Sequence, residues 1–154
     1  MKSDSPIQVH SSEEFAKGPF KPHGRVHMWL EGSTVYGVAQ GPFNQEFVAA
    51  TALAHAELVK SSPPPARHAH VLQVQRSMMA SPEMLTVFAQ FAAQMKSPPV
   101  ATAWVIAPDV EGRDFLLPMF ERIFRTVGRN FRAFETLAEA EAWVRPFIEE
   151  RSAL

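Results

Sequence analysis

The chain has 154 residues and a mass of 17.2 kDa, the size of one domain. Its 46% apolar and 20% charged residues are a globular mix rather than a disordered one, and 15 basic against 16 acidic side chains argue against a dedicated nucleic-acid binder. The absence of cysteine excludes disulfides, thiolate metal sites and thiol nucleophiles together.

Residues 1–24 read as a partly ordered extension, because Pro6, Gly18, Pro19, Pro22 and Gly24 interrupt any long apolar period. Within it, Ile7 and Val9 alternate with polar neighbours as a short edge strand would, and Phe15 and Phe20 are placed to pack as an arm. Met1 to Pro6 carry an acid and a proline where a signal peptide would have its apolar core. The longest apolar runs, 48–56 and 100–107, are far short of the ~20 residues of a membrane span. A cytoplasmic protein is therefore expected.

Residues 25–150 read as a single domain. Val26, Met28 and Leu30 alternate with His27 and Trp29, which predicts a strand over 25–30. Glu31, Gly32 and Ser33 form a turn, and the β-branched and aromatic residues of 34–39 predict a second strand, completing an antiparallel hairpin. Asn44 is a suitable N-cap for an alanine-rich helix reaching Lys60, and Pro63, Pro64 and Pro65 make the next loop stiff. A short buried strand follows over 70–75. Ser81, Pro82 and Glu83 then open a helix with apolar positions from Met84 to Met95, closed by Pro98 and Pro99.

The run 100–107 is apolar without alternation, as a central strand buried on both faces would be. A third helix is expected over about 114–127, with Pro118 in its first turn or blurring its start and Gly128 as its C-terminal stop. Residues 130–134 form the last strand. Thr136 and Glu139 form a capping box for a last helix that Pro146 ends or kinks, with fraying expected after Arg151. Alternation of strands and helices after the hairpin predicts an α/β fold. It would have a mostly parallel mixed sheet of about five strands, an N-terminal hairpin and four helices packed on it.

That order resembles the STAS or SpoIIAA-like domain family, which includes bacterial anti-sigma-factor antagonists. The resemblance covers about residues 25–149. It rests on the hairpin, on the junction from Ala39 to Glu46, and on Arg132, Ala133 and Phe134 followed by the acid-rich helix from Leu137 to Val144. It implies a non-enzymatic regulatory module that binds a protein partner. In the antagonists a serine opening the helix after a central strand is phosphorylated within Asp-Ser-Ser-Gly. Ser81 stands at the matching point, but Ala80 replaces the aspartate and no glycine follows. Its other reading is a plain helix cap.

Chemistry-bearing motifs are sparse. The seven glycines are scattered singly, so neither a phosphate-binding loop nor a serine elbow is present, and no catalytic residue is assigned. His68 and His70 share a face if extended and, with His55 or Glu57, are a conceivable zinc set. His23 and His27 are a second pair. Solvated histidines are the expected reading of both, with neither metal nor cofactor. Asp109, Glu111 and Asp114 follow the most apolar strand, where α/β sheets can bind ligands, although a solvated turn explains them as well. Arg122, Arg125 and Arg129 follow helical spacing near a helix C-terminus, where positive charge suits the dipole.

Three functions remain open. The first is protein docking through Ser77, Met78, Met79, Glu83, Arg122, Arg125 and Arg129, with Ser81 as the phosphorylation site. The second is a small-ligand pocket at the strand ends and the N-terminal arm, with Trp29, Tyr36 or Trp104 as walls and a histidine as its polar group. The third is a homodimer scaffold built on the arm or hairpin edge.

Overall fold

The computed structural model describes residues 7–16 and 18–150. The chain forms β1 (His10–Ser11), a 3-10 turn (Ser12–Phe15), β2 (Arg25–Glu31), β3 (Thr34–Gln40) and α1 (Gln45–Ser61). These are followed by β4 (Ala69–Gln75), α2 (Pro82–Gln94), β5 (Ala101–Ile106), α3 (Arg113–Thr126), β6 (Phe131–Phe134) and α4 (Leu137–Glu149). The fold is α/β as expected, with a six-stranded mixed sheet. The added strand is the two-residue β1, which pairs antiparallel with β2 through His10 opposite Met28. Strand pairing thus starts just after the Ile7 and Val9 pattern, both of which are exposed. Phe15 packs on the core, whereas Phe20 is 70% exposed.

The strands lie in sequence order, β1 to β6, with β3, β4, β5 and β6 mutually parallel. Crossovers of one hand between successive neighbours carry their helices to one side of a sheet. Accordingly α1, α2 and α3 pack on the face formed by Val26, Met28, Val35, Ala39, Val74, Trp104 and Ile106. The opposite face, with Ala69, Val71, Ala101, Ala103 and Val105, is covered by Ala140 and Val144 of α4. All six residues of β5 are buried, because this strand has a helix layer on each side.

The expected caps form. Asn44 Oδ1, Ser81 Oγ and Thr136 Oγ1 accept from the amides of Phe47, Met84 and Glu139. Two helix details differ from expectation. The third helix begins at Arg113, so Pro118 is its sixth residue and lies beyond the first turn. Of the two readings of Pro146, the ending is overturned, since the last helix continues three residues past it, to Glu149. The chain after Arg151, where fraying is expected, lies outside the described residues, as does the 1–6 segment read against a signal peptide. No helix among the described residues is long and apolar enough to cross a membrane.

Candidate functional site

A cavity of about 150 Å3 lies between the sheet and the α1, α2 and α3 layer. Met28, Val48, Leu72, Phe88, Trp104 and Phe124 supply its apolar walls. Trp104 is held by a cage of rings, with Phe88, Phe120, Phe124 and Phe131 centred 4.9 to 6.0 Å away. Such rigid side chains cannot flow into a gap as flexible ones do.

Five polar side chains also line the cavity: Thr51, His55, His70, Thr102 and Arg129. Thr51 and His55 lie one turn apart on α1 and therefore share a face. His70 and Thr102 are register partners on neighbouring strands and point the same way. The His55 ring meets the His70 ring edge-on at 5.6 Å between centroids. Arg129 arrives from the end of α3. Gly128 there has φ 72°, its amide donates to the Arg125 carbonyl, and the Arg129 amide donates to the Phe124 carbonyl. This Schellman turn ends the helix and sends the next residue back across it. The guanidinium then donates to the Ala92 carbonyl at 3.3 Å, its Nη2 lies 3.6 Å from Met95 Sδ, and it meets no carboxylate among the described residues.

Burial pushes the His70 imidazole well below its ordinary value, with His55, His68 and Arg129 adding to the effect. Burial, then His68, lowers His55. Both rings are therefore neutral near pH 7. Burial also lowers Arg129, which nevertheless stays charged. His68 is set apart by its own bond: its Nδ1 lies 2.8 Å from the Pro65 carbonyl, which only accepts, so the proton is on Nδ1. The structure brings His55, His68 and His70 into one row, but no three His, Asp or Glu side chains among the described residues are arranged to hold a metal ion. His27 instead faces Glu13 at 3.5 Å.

The other sequence-derived positions scatter. Ser77 and Met78 are 5% and 1% exposed, so neither offers its side chain to a partner. Ser77 Oγ donates to Glu111 at 2.7 Å and accepts from the Met79 amide, tying the loop after β4 to the loop after β5. Met79, Glu83, Arg122 and Arg125 are exposed. Arg129, expected on the same helical face as the last two, lies past the helix end and turns inward. Ser81 caps α2. Asp109 and Asp114 are exposed, Asp114 beside Arg113 at 3.3 Å. The strand order never reverses, so the crevice that such loops flank in doubly wound sheets does not arise.

The expected pocket position at the strand ends also differs from this cavity, which lies against the sheet face. Of its expected walls, Trp104 contributes its ring. Tyr36 also borders the cavity, but its hydroxyl reaches the α4 side and donates to Glu141 at 2.7 Å, and Trp29 stacks on its ring. Burial and that carboxylate raise the Tyr36 phenol to about 12. Sequence reading missed Thr51 and Thr102 and placed Arg129 on the surface. The only available signal was a polar residue at a core-facing position, such as Thr102 within 100–107.

No family model matches the chain, and no curated protein or solved structure matches it significantly.

Proposed function

We propose that the protein binds a small, ring-sized or short-chain ligand in the cavity between the sheet and α1, α2 and α3. The observation that carries this reading is an almost wholly apolar chamber of about 150 Å3 whose lining residues include His55, His70, Thr102 and Arg129. Binding sites for small molecules have this composition, mostly apolar with a few polar groups that fix orientation. A dry cavity of ~150 Å3 accommodates a benzene-sized molecule, which sets the scale of the ligand. The test is a thermal-shift and amide-NMR titration of the protein with benzyl alcohol, indole, phenylacetate and hexanoate. At least one compound should bind saturably, raise the melting temperature and shift the amides of Thr51, Leu72 and Thr102. Val48→Phe, which fills the chamber, should abolish the shift. Absence of saturable binding by all four at millimolar concentration would remove the reading.

A second reading, protein docking in the manner of a STAS-like module, is supported by the exposed apolar side chains Met79, Phe115 and Met119. Their exposures are 38%, 66% and 37%, and the Met79 sulfur lies over Gly112 at the start of α3. Scattered exposed apolar residues are common, so this support is weaker. Crosslinking in cells with a photoreactive residue at Phe115 should capture a discrete partner under this reading, and the capture should disappear with Met79→Ser.

A further inference from the structure

Residue by residue, the lining of the chamber includes polar side chains, but atom by atom it is almost wholly apolar. Thr51 Oγ1, His55 Nε2, His70 Nε2, Thr102 Oγ1 and Arg129 Nε are each closed off from solvent and chamber alike. Arg129 turns its other nitrogens to the end of α2, with Nη1 on the Ala92 carbonyl and Nη2 beside Met95 Sδ. A cation there suits the negative end of the helix dipole and needs no carboxylate to hold it. What these residues show the chamber is therefore chiefly carbon.

That surface decides what a ligand can bring with it. A hydroxyl entering the chamber would give up its water and find little polar surface in exchange, and a carboxylate or ammonium would lose far more. Rings are prominent in the lining, among them Phe47, Phe88, Trp104 and Phe124, together with the thioethers of Met28 and Met84. Phe88 and Trp104 already meet at 69°, and Trp104 and Phe124 at 90°. Aromatic rings favour such edge-to-face contacts, and thioether sulfurs favour ring edges. A flat aromatic guest therefore gains contacts that a saturated ring of similar size does not. The volume of about 150 Å3 suits one ring with a short substituent.

Resting on the proposed ligand-binding role, we propose that the ligand is an uncharged aromatic hydrocarbon, one benzene ring bearing at most a short alkyl group. It is held without a hydrogen bond. The outline of the chamber selects its size, and the apolar lining selects against any polar group it might carry.

The test compares toluene with phenol, which has nearly the same shape but carries a hydroxyl, and with methylcyclohexane, which is saturated, by calorimetry and methyl-group NMR. Toluene should bind saturably, roughly tenfold or more tightly than phenol, and more tightly than methylcyclohexane. Indole and benzyl alcohol should bind more weakly than toluene, and phenylacetate should not bind. Thr102→Val removes a hydroxyl that the chamber does not meet, so the affinities for toluene and phenol should stay within about threefold of the parent. Phenol, phenylacetate, indole or benzyl alcohol binding as tightly as toluene, or a loss of phenol affinity alone in Thr102→Val, would overturn the hydrocarbon assignment. Equal or tighter binding of methylcyclohexane would overturn the aromatic assignment. The ligand-binding role would stand in each of these cases. Failure of toluene together with benzyl alcohol, indole, phenylacetate and hexanoate would overturn the role itself. If Thr102→Val fails to fold, the wild-type probe comparison still decides the matter.

Discussion

Beneath α4 the sheet presents Ala69, Ala101 and Ala103, each at most 1% exposed, and the helix meets them with Ala140 and Val144. Across the sheet, large side chains such as Met28, Phe88, Trp104, Phe120 and Phe124 surround a chamber. Small residues let a helix approach the strands closely. Rigid rings meet edge to face and leave gaps where their outlines do not interlock. The same strands build both faces, since alternate residues point to opposite sides. One sheet thus carries one face packed through small residues at its centre and one face that borders an apolar chamber.

The aromatic cage should be the most sensitive part of the hollow face. Phe120 is 1% exposed and contacts the rings of Phe88 and Trp104. Phe120→Ala should lower the stability measured in urea by ~3–5 kcal/mol. A loss below about 1 kcal/mol would mean that this wall is already loose and that the chamber has no defined shape.

The contrast between faces is sharpest in a pair of enlargements. Ala140→Leu inserts three carbons where Ala140 is 0% exposed, and overpacking should cost ~1–3 kcal/mol or more. Val48→Leu adds one carbon beside the chamber and should stay within about 1 kcal/mol of the parent. Equal costs in urea denaturation would break the comparison.

Protonation tests the polar rim. His55 and His70 are held below their ordinary value of 6.5 in the folded chain, so the unfolded chain binds more protons as the pH falls below that value. Their contribution is complete above about pH 6.5 and is lost progressively on acidification toward the folded values. The slope is at most about 1.4 kcal/mol per pH unit for each histidine. The groups facing His70 are His55, His68 and Arg129, and each disfavours its protonation. His70→Leu should flatten the curve between pH 7 and 5 in urea titrations. An unchanged slope would place the acid sensitivity elsewhere.

The smallest effect concerns Ser81. Ser81→Ala removes the bond to the Met84 amide and should cost ~1 kcal/mol, while Ser81→Asp, also a good cap, should stay close to the parent. A thermal melt that ranks aspartate with alanine would show that the cap contributes little.

Most of the fold was legible in the residues. The hairpin, the three caps and the buried run at 101–106 follow from local rules that need no partner: alternation, capping chemistry and unbroken apolarity. The short β1 was legible only in part: the alternation of Ile7 and Val9 suggests an edge strand, but its place at His10 and Ser11 is set by pairing with Met28 and His27. The candidate site was legible in part. The histidines drew notice, but their association with Thr102 and Arg129 depends on residues 32 to 74 positions apart in the chain. Ser77 and Met78 show the reverse error. Nothing local distinguishes a surface loop from one buried by the Glu111 segment.

The amino-acid sequence by itself determined the element order, the strand directions after the hairpin and the lack of thiol chemistry, because short-range backbone preferences and composition decide them. Only the tertiary structure decided which side of the sheet is hollow and which way Arg129 points. Whether facing side chains interlock depends on the helix layer laid across the strands, and the turn at Gly128 acquires its meaning only once α2 and the sheet stand in the path of the next side chain.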